Sequence, residues 1–150
     1  MLKRSSEFEE FVATARPRLL RALAGCRGVD APDAVAEALA FAWERWEEVR
    51  IMENPVGYLY RVGQSRTRPR RTPVLPAPED LAVPDIEPLL IPAFRALPDT
   101  QRTAVWLVHA CGWPYAEVAA ALDTSVSMVG NHVTRGLDRL RRELKVGIDG

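Results

Sequence analysis

Ser127, Met128, Asn131, Thr134 and Arg135 recur at intervals of three and four near the end of the 150-residue chain. A second series, Val126, Val129, Val133, Leu137, Leu140 and Leu144, keeps the same rhythm on another face. Two interleaved series of this kind predict one amphipathic helix, apolar towards a core and polar towards solvent. Amide, hydroxyl and guanidinium groups on such a face are the groups that hydrogen-bond base edges in a DNA major groove. Upstream, Ala119 is small where a preceding helix must come close, and Asp123 occupies the expected turn. Asp tolerates the left-handed backbone better than most residues. Ser125 is a natural N-cap, and Val129 is spaced to lock the second helix across the first. That order is a helix-turn-helix, although helical hairpins that bind nothing share its periodicity. The middle of the second helix, Gly130-Asn131-His132, carries no formal charge at neutral pH. Phosphate contacts would therefore fall to Arg135, Arg139, Arg141 and Arg142, and binding by this unit alone would be weak.

A second concentration of chemistry lies near residue 60. Tyr58 and Tyr60 stand beside Arg61 and Arg66, and rings next to guanidinium groups suit unpaired bases and their phosphates. Burial of Tyr58 is the competing reading. Residues 61–72 hold five basic side chains and no acidic one. Such a run attracts phosphate, or it is a solvated helix end. A third group, Asp33 and Glu37 with Trp43 and Trp46, reads by itself as a solvated acidic face beside packing aromatics. Nothing points to catalysis. There is no glycine-rich phosphate loop, no Ser/His/Asp grouping and no pair of metal ligands. Cys26 and Cys111 are too few for a disulfide framework, and with His109 and His132 they lack zinc spacing. Neither a cofactor nor a metal is expected.

The elements that must position these residues are helical. Phe8, Phe11, Val12, Ala15, Leu19, Leu20 and Leu23 mark one face of a first helix, and Gly25 and Gly28 should break it. A second helix starts at Asp30 or Ala31 with Pro32 in its first turn, and Val35, Leu39, Ala42, Trp43 and Trp46 form its stripe. Asn54 can cap a third helix that has Pro55 first and should end at Pro69. Seven of the 12 prolines fall between positions 73 and 98, where long helices cannot persist. That stretch is acidic and reads as an extended linker. A further helix through Ala104, Val105, Leu107 and Val108 stops at Gly112, and Pro114 opens the first helix of the helix-turn-helix. No segment alternates long enough to be a strand. The expected fold is all-α: a helical domain at 5–70, a flexible Pro-rich linker at 71–92 and a helix-turn-helix domain at 93–146. No apolar run is long enough to span a membrane. The opening residues, MLKRSSEFEEF, place acids where a signal peptide would be apolar. The expected location is the cytoplasm.

The order of these pieces resembles bacterial RNA polymerase sigma factors of the sigma-70 class, in particular the small extracytoplasmic-function group. The segment DAPDAVAEALAFAWERW looks like the helix with which that family docks on the clamp of the largest polymerase subunit. The resemblance gives Asp33, Ala36, Glu37, Ala40 and Trp43 that role. NPVGYLYRVGQSR looks like the segment that opens and reads the −10 element, which carries the role to Tyr58, Arg61, Gln64, Ser65, Arg66 and Arg68. The segment from Leu97 to Leu144 is similar to the domain that reads the −35 element, and it places Ser125, Ser127, Met128, Asn131, His132, Arg135 and Arg139 at the DNA. Departures from the family pattern are Ala36 for a usual Gln, Ser65 and Pro69 for Asn and Asp, and Gly130-Asn131-His132 for basic residues. The implied function is promoter-specific initiation with core polymerase, whose clamp and flap regions are the expected partners together with promoter DNA. An anti-sigma factor is a further candidate partner. Two rivals stay open at this point. VGNHVTR also resembles the recognition helix of LuxR-type regulators, although the N-terminal half does not look like a receiver or ligand-sensing domain. A degenerate sigma-like chain that only holds a protein partner is the other.

Overall fold

The computed structural model describes residues 2–67 and 90–149. The described residues form eight α-helices, one 3-10 turn and one π-helical turn, with no strand among them. The first half holds α1 (Leu2–Arg27), α2 (Ala31–Glu44), the single turn α3 (Trp46–Val49) and α4 (Pro55–Arg66). The second holds α5 (Leu90–Arg95), α6 (Asp99–Val105), α7 (Tyr115–Leu122) and α8 (Val126–Asp149). Most of the expected linker, 71–89, lies outside the described residues, as do Arg68 and Pro69. Helix α5 already begins at Leu90, inside the stretch expected to be linker.

Helix α1 does not break at Gly25. It runs on to Arg27, and the chain turns at Gly28, whose φ of 56° suits a residue without a side chain. Gly25 has a different reason to be glycine: a Cβ there would lie 2.6 Å from Nε1 of Trp106. Ala15, Leu19, Ala22 and Leu23 are the buried face of α1, whereas Leu20, expected on that face, is exposed. Helix α2 has Pro32 in its first turn, as expected, but stops at Glu44. Arg45 leaves helical geometry and α3 restarts at Trp46, which turns Trp46 into the core and leaves Trp43 at the surface. The expected stripe is thus correct through Ala42 and wrong at Trp43.

Pro55 opens α4 as expected, but the Asn54 side chain makes no cap bond. Its backbone carbonyl accepts the Tyr58 N–H instead. At the other end, the buried Arg27 acts as a cap from a distance. Its Nη2 donates to the Gln64 carbonyl at 2.8 Å and its Nε to Thr67 Oγ1 at 2.9 Å. This use of a guanidinium on the last carbonyl groups satisfies acceptors that a helix cannot satisfy itself.

Beyond α6, a π-helical turn at Trp106–Ala110 leads to Gly112, whose φ of 69° ends it, as the sequence predicts. Asp123 sits left-handed at φ 53°, and Ser125 caps α8 by accepting the Met128 N–H on its Oγ at 3.1 Å. Val129 and Val133 are buried under α7, but Val126 is exposed, which corrects the inward position expected for it. One continuous apolar cluster crosses the two halves. It joins Leu19, Leu23, Leu39, Leu59 and Tyr60 to Trp106, Leu107, Trp113, Val118 and Val129. A smaller cluster of Ala93, Leu97, Val105 and Leu140 holds α5 and α6 against α8.

Candidate nucleic-acid and polymerase interfaces

Three faces carry the residues singled out from the sequence. The first is on α8. Ser127, Met128, Asn131, Arg135 and Arg139 are all exposed, and His132 is half-buried. The cap fixes where this face begins, because the Ser125 hydroxyl is committed to the first turn. Asn131 reaches back only to its own helix, donating to the Met128 sulfur at 3.9 Å. A thioether is a weak acceptor, so the amide is available to a stronger partner. Behind the face, the buried Val129 and Val133 hold α8 in the core. This arrangement presents a rigid row of polar groups, which is what groove reading requires.

The second face is on α4, and its side chains are engaged within the chain. Tyr60 is buried and meets Trp113 edge-on, with ring centroids 5.8 Å apart. Its expected exposure for stacking is therefore wrong in this conformation. Burial raises the Tyr60 phenol well above its ordinary range, and the neighbouring Cys26 thiol adds to the shift. Gln64 donates to the Tyr60 hydroxyl at 3.1 Å, so its amide is also held. Arg61 pairs with Asp123 of the helix-turn-helix at 2.9 Å and lies over the half-buried Tyr58. Arg66 lies over the Phe41 ring at 4.9 Å and near Glu37. Ser65 is exposed, with its hydroxyl donated to the Val62 carbonyl.

The third face is on α2. Asp33, Ala36, Glu37, Ala40 and Trp43 are exposed, while the interleaved Ala34, Val35, Ala38, Leu39 and Ala42 are buried. The five exposed residues therefore share one side of one helix. Trp43 is supported rather than loose. Phe8 packs against its ring at 5.0 Å and the Arg4 guanidinium lies over it at 4.4 Å, while Arg4 Nη2 donates to the Trp43 carbonyl. A supported aromatic side chain on the same helix side as two carboxylates is a suitable contact for a basic partner surface.

Residues that bring the two halves together were not visible in the sequence. Arg18 of α1 forms an ion pair with Glu117 of α7 and stacks its guanidinium 5.3 Å from the centre of the Trp113 ring. Glu117 is buried there. Trp106 donates its indole N–H to the Ala22 carbonyl at 3.1 Å. Cys111, near this seam, has its thiol pushed up to about 12 by burial, against which Arg21 and Arg18 pull weakly. Among the described residues no group of three or more His, Cys, Asp or Glu could hold a metal ion. No helix among them is long and apolar enough to cross a membrane.

An all-helical pair of lobes, one ending in a capped helix-turn-helix, is the form of a DNA-binding protein. Residues 90–140 match the family model "Sigma-70, region 4". The RNA polymerase sigma-E factor of Streptomyces antibioticus is 36% identical over 153 aligned residues, covering 93% of this chain and 85% of that relative. The sigma-E factor of Streptomyces coelicolor is 35% identical over 92% of this chain and 86% of its own length. Among solved structures, the sigma factor RpoE of Bartonella quintana, in complex with the anti-sigma factor NepR, superposes with a TM-score of 0.68 at 20% identity. That match covers 93% of this chain and 98% of that one. CnrH, in complex with the cytosolic domain of CnrY, gives 0.66 at 23% identity over 95% and 90% of the two chains. The chain belongs to the sigma-70 family of RNA polymerase sigma factors, in its extracytoplasmic-function group. It functions as a sigma factor, binding core RNA polymerase and directing initiation at promoters. The relatives match across both halves, so the likeness of VGNHVTR to LuxR-type regulators does not extend to the protein.

Proposed function

We propose a division of this role among the three faces. The exposed side of α2, with Asp33, Ala36, Glu37, Ala40 and Trp43, contacts the clamp of the largest polymerase subunit. The polar side of α8, with Ser127, Met128, Asn131, His132, Arg135 and Arg139, enters the major groove at the −35 element, with Ser125 setting its first turn. The α4 segment, through Tyr58, Arg61, Gln64, Ser65 and Arg66 and continuing to Arg68, holds the −10 region. The domain division at about 5–70 and 93–146 follows from these roles. The protein acts in the cytoplasm and works by binding rather than by catalysis. An anti-sigma factor is a candidate partner, since the relatives solved with NepR and CnrY share this fold.

The observation that carries the docking assignment is the clean separation on α2. Residues 33, 36, 37, 40 and 43 are exposed while their neighbours on the other side form the core. Both carboxylates stay in water, and the Glu37 pair with Arg66 is long and exposed, so they can meet a basic surface. Asp33→Lys with Glu37→Lys should weaken core polymerase binding at least tenfold, about 1.4 kcal/mol or more, with the fold unchanged. Core binding measured by fluorescence polarisation checks this, and wild-type affinity in the double variant would rule the assignment out.

A further inference from the structure

Trp43 differs from the other three tryptophans. It is 38% exposed, whereas Trp46, Trp106 and Trp113 are 4%, 6% and 3% exposed. It sits in the last turn of α2, where backbone carbonyls run out of partners within the helix, and Arg45 leaves helical geometry two residues later. Its own helix therefore does little to hold the ring. The hold comes from the first turns of α1. The Arg4 guanidinium lies 4.4 Å from the centre of the ring, and its Nη2 donates to the Trp43 carbonyl at 2.7 Å. Phe8, one turn further on, meets the same ring at 5.0 Å. Arg4 thus grips Trp43 twice, at the side chain and at the backbone. Its carboxylate neighbour is the weaker partner, since Glu47 of α3 is exposed and stays 4.0 Å from Arg4 Nε. That Nε is shut off from solvent and makes no hydrogen bond among the described residues. The guanidinium is placed for the tryptophan rather than for an ion pair. Glu47 in turn lies 3.8 Å from Arg50, and Arg50 lies 3.5 Å from Glu7, so a loop of charges ties the start of α1 to α3.

We infer that Arg4 is a positioning residue of the polymerase-docking face: it holds the Trp43 ring in its binding pose before polymerase arrives. The inference rests on the docking role proposed for α2. An exposed tryptophan that moves among rotamers must be ordered when a partner covers it, and that ordering weakens binding. A ring already stacked on a guanidinium and braced by Phe8 escapes this cost. Arginine suits the task, because its planar group can lie on a ring and donate to a carbonyl at the same time. Arg4 acts through Trp43, 39 residues away in sequence, and so extends the docking site from one helix to two.

The full chain supplies the test, in four forms: wild type, Arg4→Met, Trp43→Ala and the double variant. Methionine keeps the apolar stem of Arg4 and loses the guanidinium. Both side chains are at the surface, so the fold should hold, and urea midpoints check this. Affinity for core polymerase should fall roughly two- to tenfold in Arg4→Met, the size of the ordering cost of one interfacial side chain. Trp43→Ala should fall further, and adding Arg4→Met to it should change nothing more. Acrylamide quenching of the free protein gives a second readout, because Trp43 is the exposed tryptophan of the four. Arg4→Met should raise the quenching and shift the emission to the red. Unchanged polymerase affinity in Arg4→Met would overturn the inference, whether or not the quenching or the urea midpoint moves. Lost affinity with unchanged quenching, or an equal loss with and without Trp43, would show Arg4 acting by another route and overturn it too. Wild-type affinity in Trp43→Ala would overturn the docking role of Trp43, and positioning with it. Asp33→Lys with Glu37→Lys tests the rest of the α2 face separately.

Discussion

Helices α4 and α8 carry similar chemistry: arginines, amides and hydroxyls on a face of three-and-four spacing. On α8 these groups face solvent, and among the described residues their polar contacts stay within the helix and its cap. On α4 they are drawn into ring contacts, an ion pair and a buried hydrogen bond with other elements. The difference does not lie in the residues themselves. It comes from what packs behind each helix. Helix α8 has Val129 and Val133 on one side and, among the described residues, an exposed polar row on the other, whereas α4 is covered on one side by α1 and α2 and on another by α7. Similar side chains are a presented surface in one place and an internal joint in the other.

The comparison can be broken most forcefully at the joint. Trp113→Ala removes the ring that meets both Tyr60 and Arg18. A buried tryptophan cut to alanine costs about 3–5 kcal/mol, which should appear as a large drop in the urea midpoint at unchanged slope. Less disruptive is Asn131→Ala with Met128→Ala on the open face. Both residues are exposed, so stability should hold, while discrimination at one −35 base pair should fall by about 1–3 kcal/mol. Promoter selection by the polymerase holoenzyme on a library of −35 variants measures it. Smaller again is Ser125→Ala, which removes the hydroxyl that accepts the Met128 N–H. Its loss should cost about 1 kcal/mol and increase hydrogen exchange at the first turn of α8. Smallest should be Asp123→Gly. It relieves a left-handed non-glycine residue and gives up an exposed ion pair to Arg61, two effects of about 1 kcal/mol or less and of opposite sign. Thermal melting should shift by only a few degrees.

Alkaline pH gives an independent reading of the joint. Burial raises the Cys111 thiol from an ordinary 9 to about 12. Above pH 9 the unfolded chain gives up this proton while the folded chain keeps it, so stability falls as pH rises. The loss attributable to Cys111 ends near pH 12. A urea midpoint followed between pH 8 and 11 should decline, and Cys111→Ala should flatten part of that decline.

Much of the fold was legible because helical periodicity and punctuation are local. Asp123 and Ser125 sat where a turn and a cap had to be, and Gly112 ended its helix. The exposed side of α2 followed from the 3.6-residue period through residue 42. Prediction failed where a distant neighbour decides. Gly25 reads as a breaker, but the helix continues because Trp106, 81 positions later, needs the space. Trp43 and Trp46 both fit one stripe until Arg45 interrupts the helix and separates them. Arg18 and Glu117 are 99 residues apart, and nothing in the spacing of either announces the other. The joint is therefore the part of the molecule that sequence could not show, because each of its contacts pairs residues from opposite halves of the chain.

Locking that joint tests the account most directly. In a chain with Cys26→Ser and Cys111→Ser, Arg18→Cys and Glu117→Cys can be joined by a bifunctional thiol-reactive crosslinker with a reducible disulfide in its spacer and supplied to core polymerase. Run-off transcription from a cognate promoter should be lost in the crosslinked form and return on reduction, with binding of duplex −35 DNA unchanged throughout. Equal transcription by the crosslinked and reduced forms would contradict the claim that α4 must leave α7 before it can hold DNA.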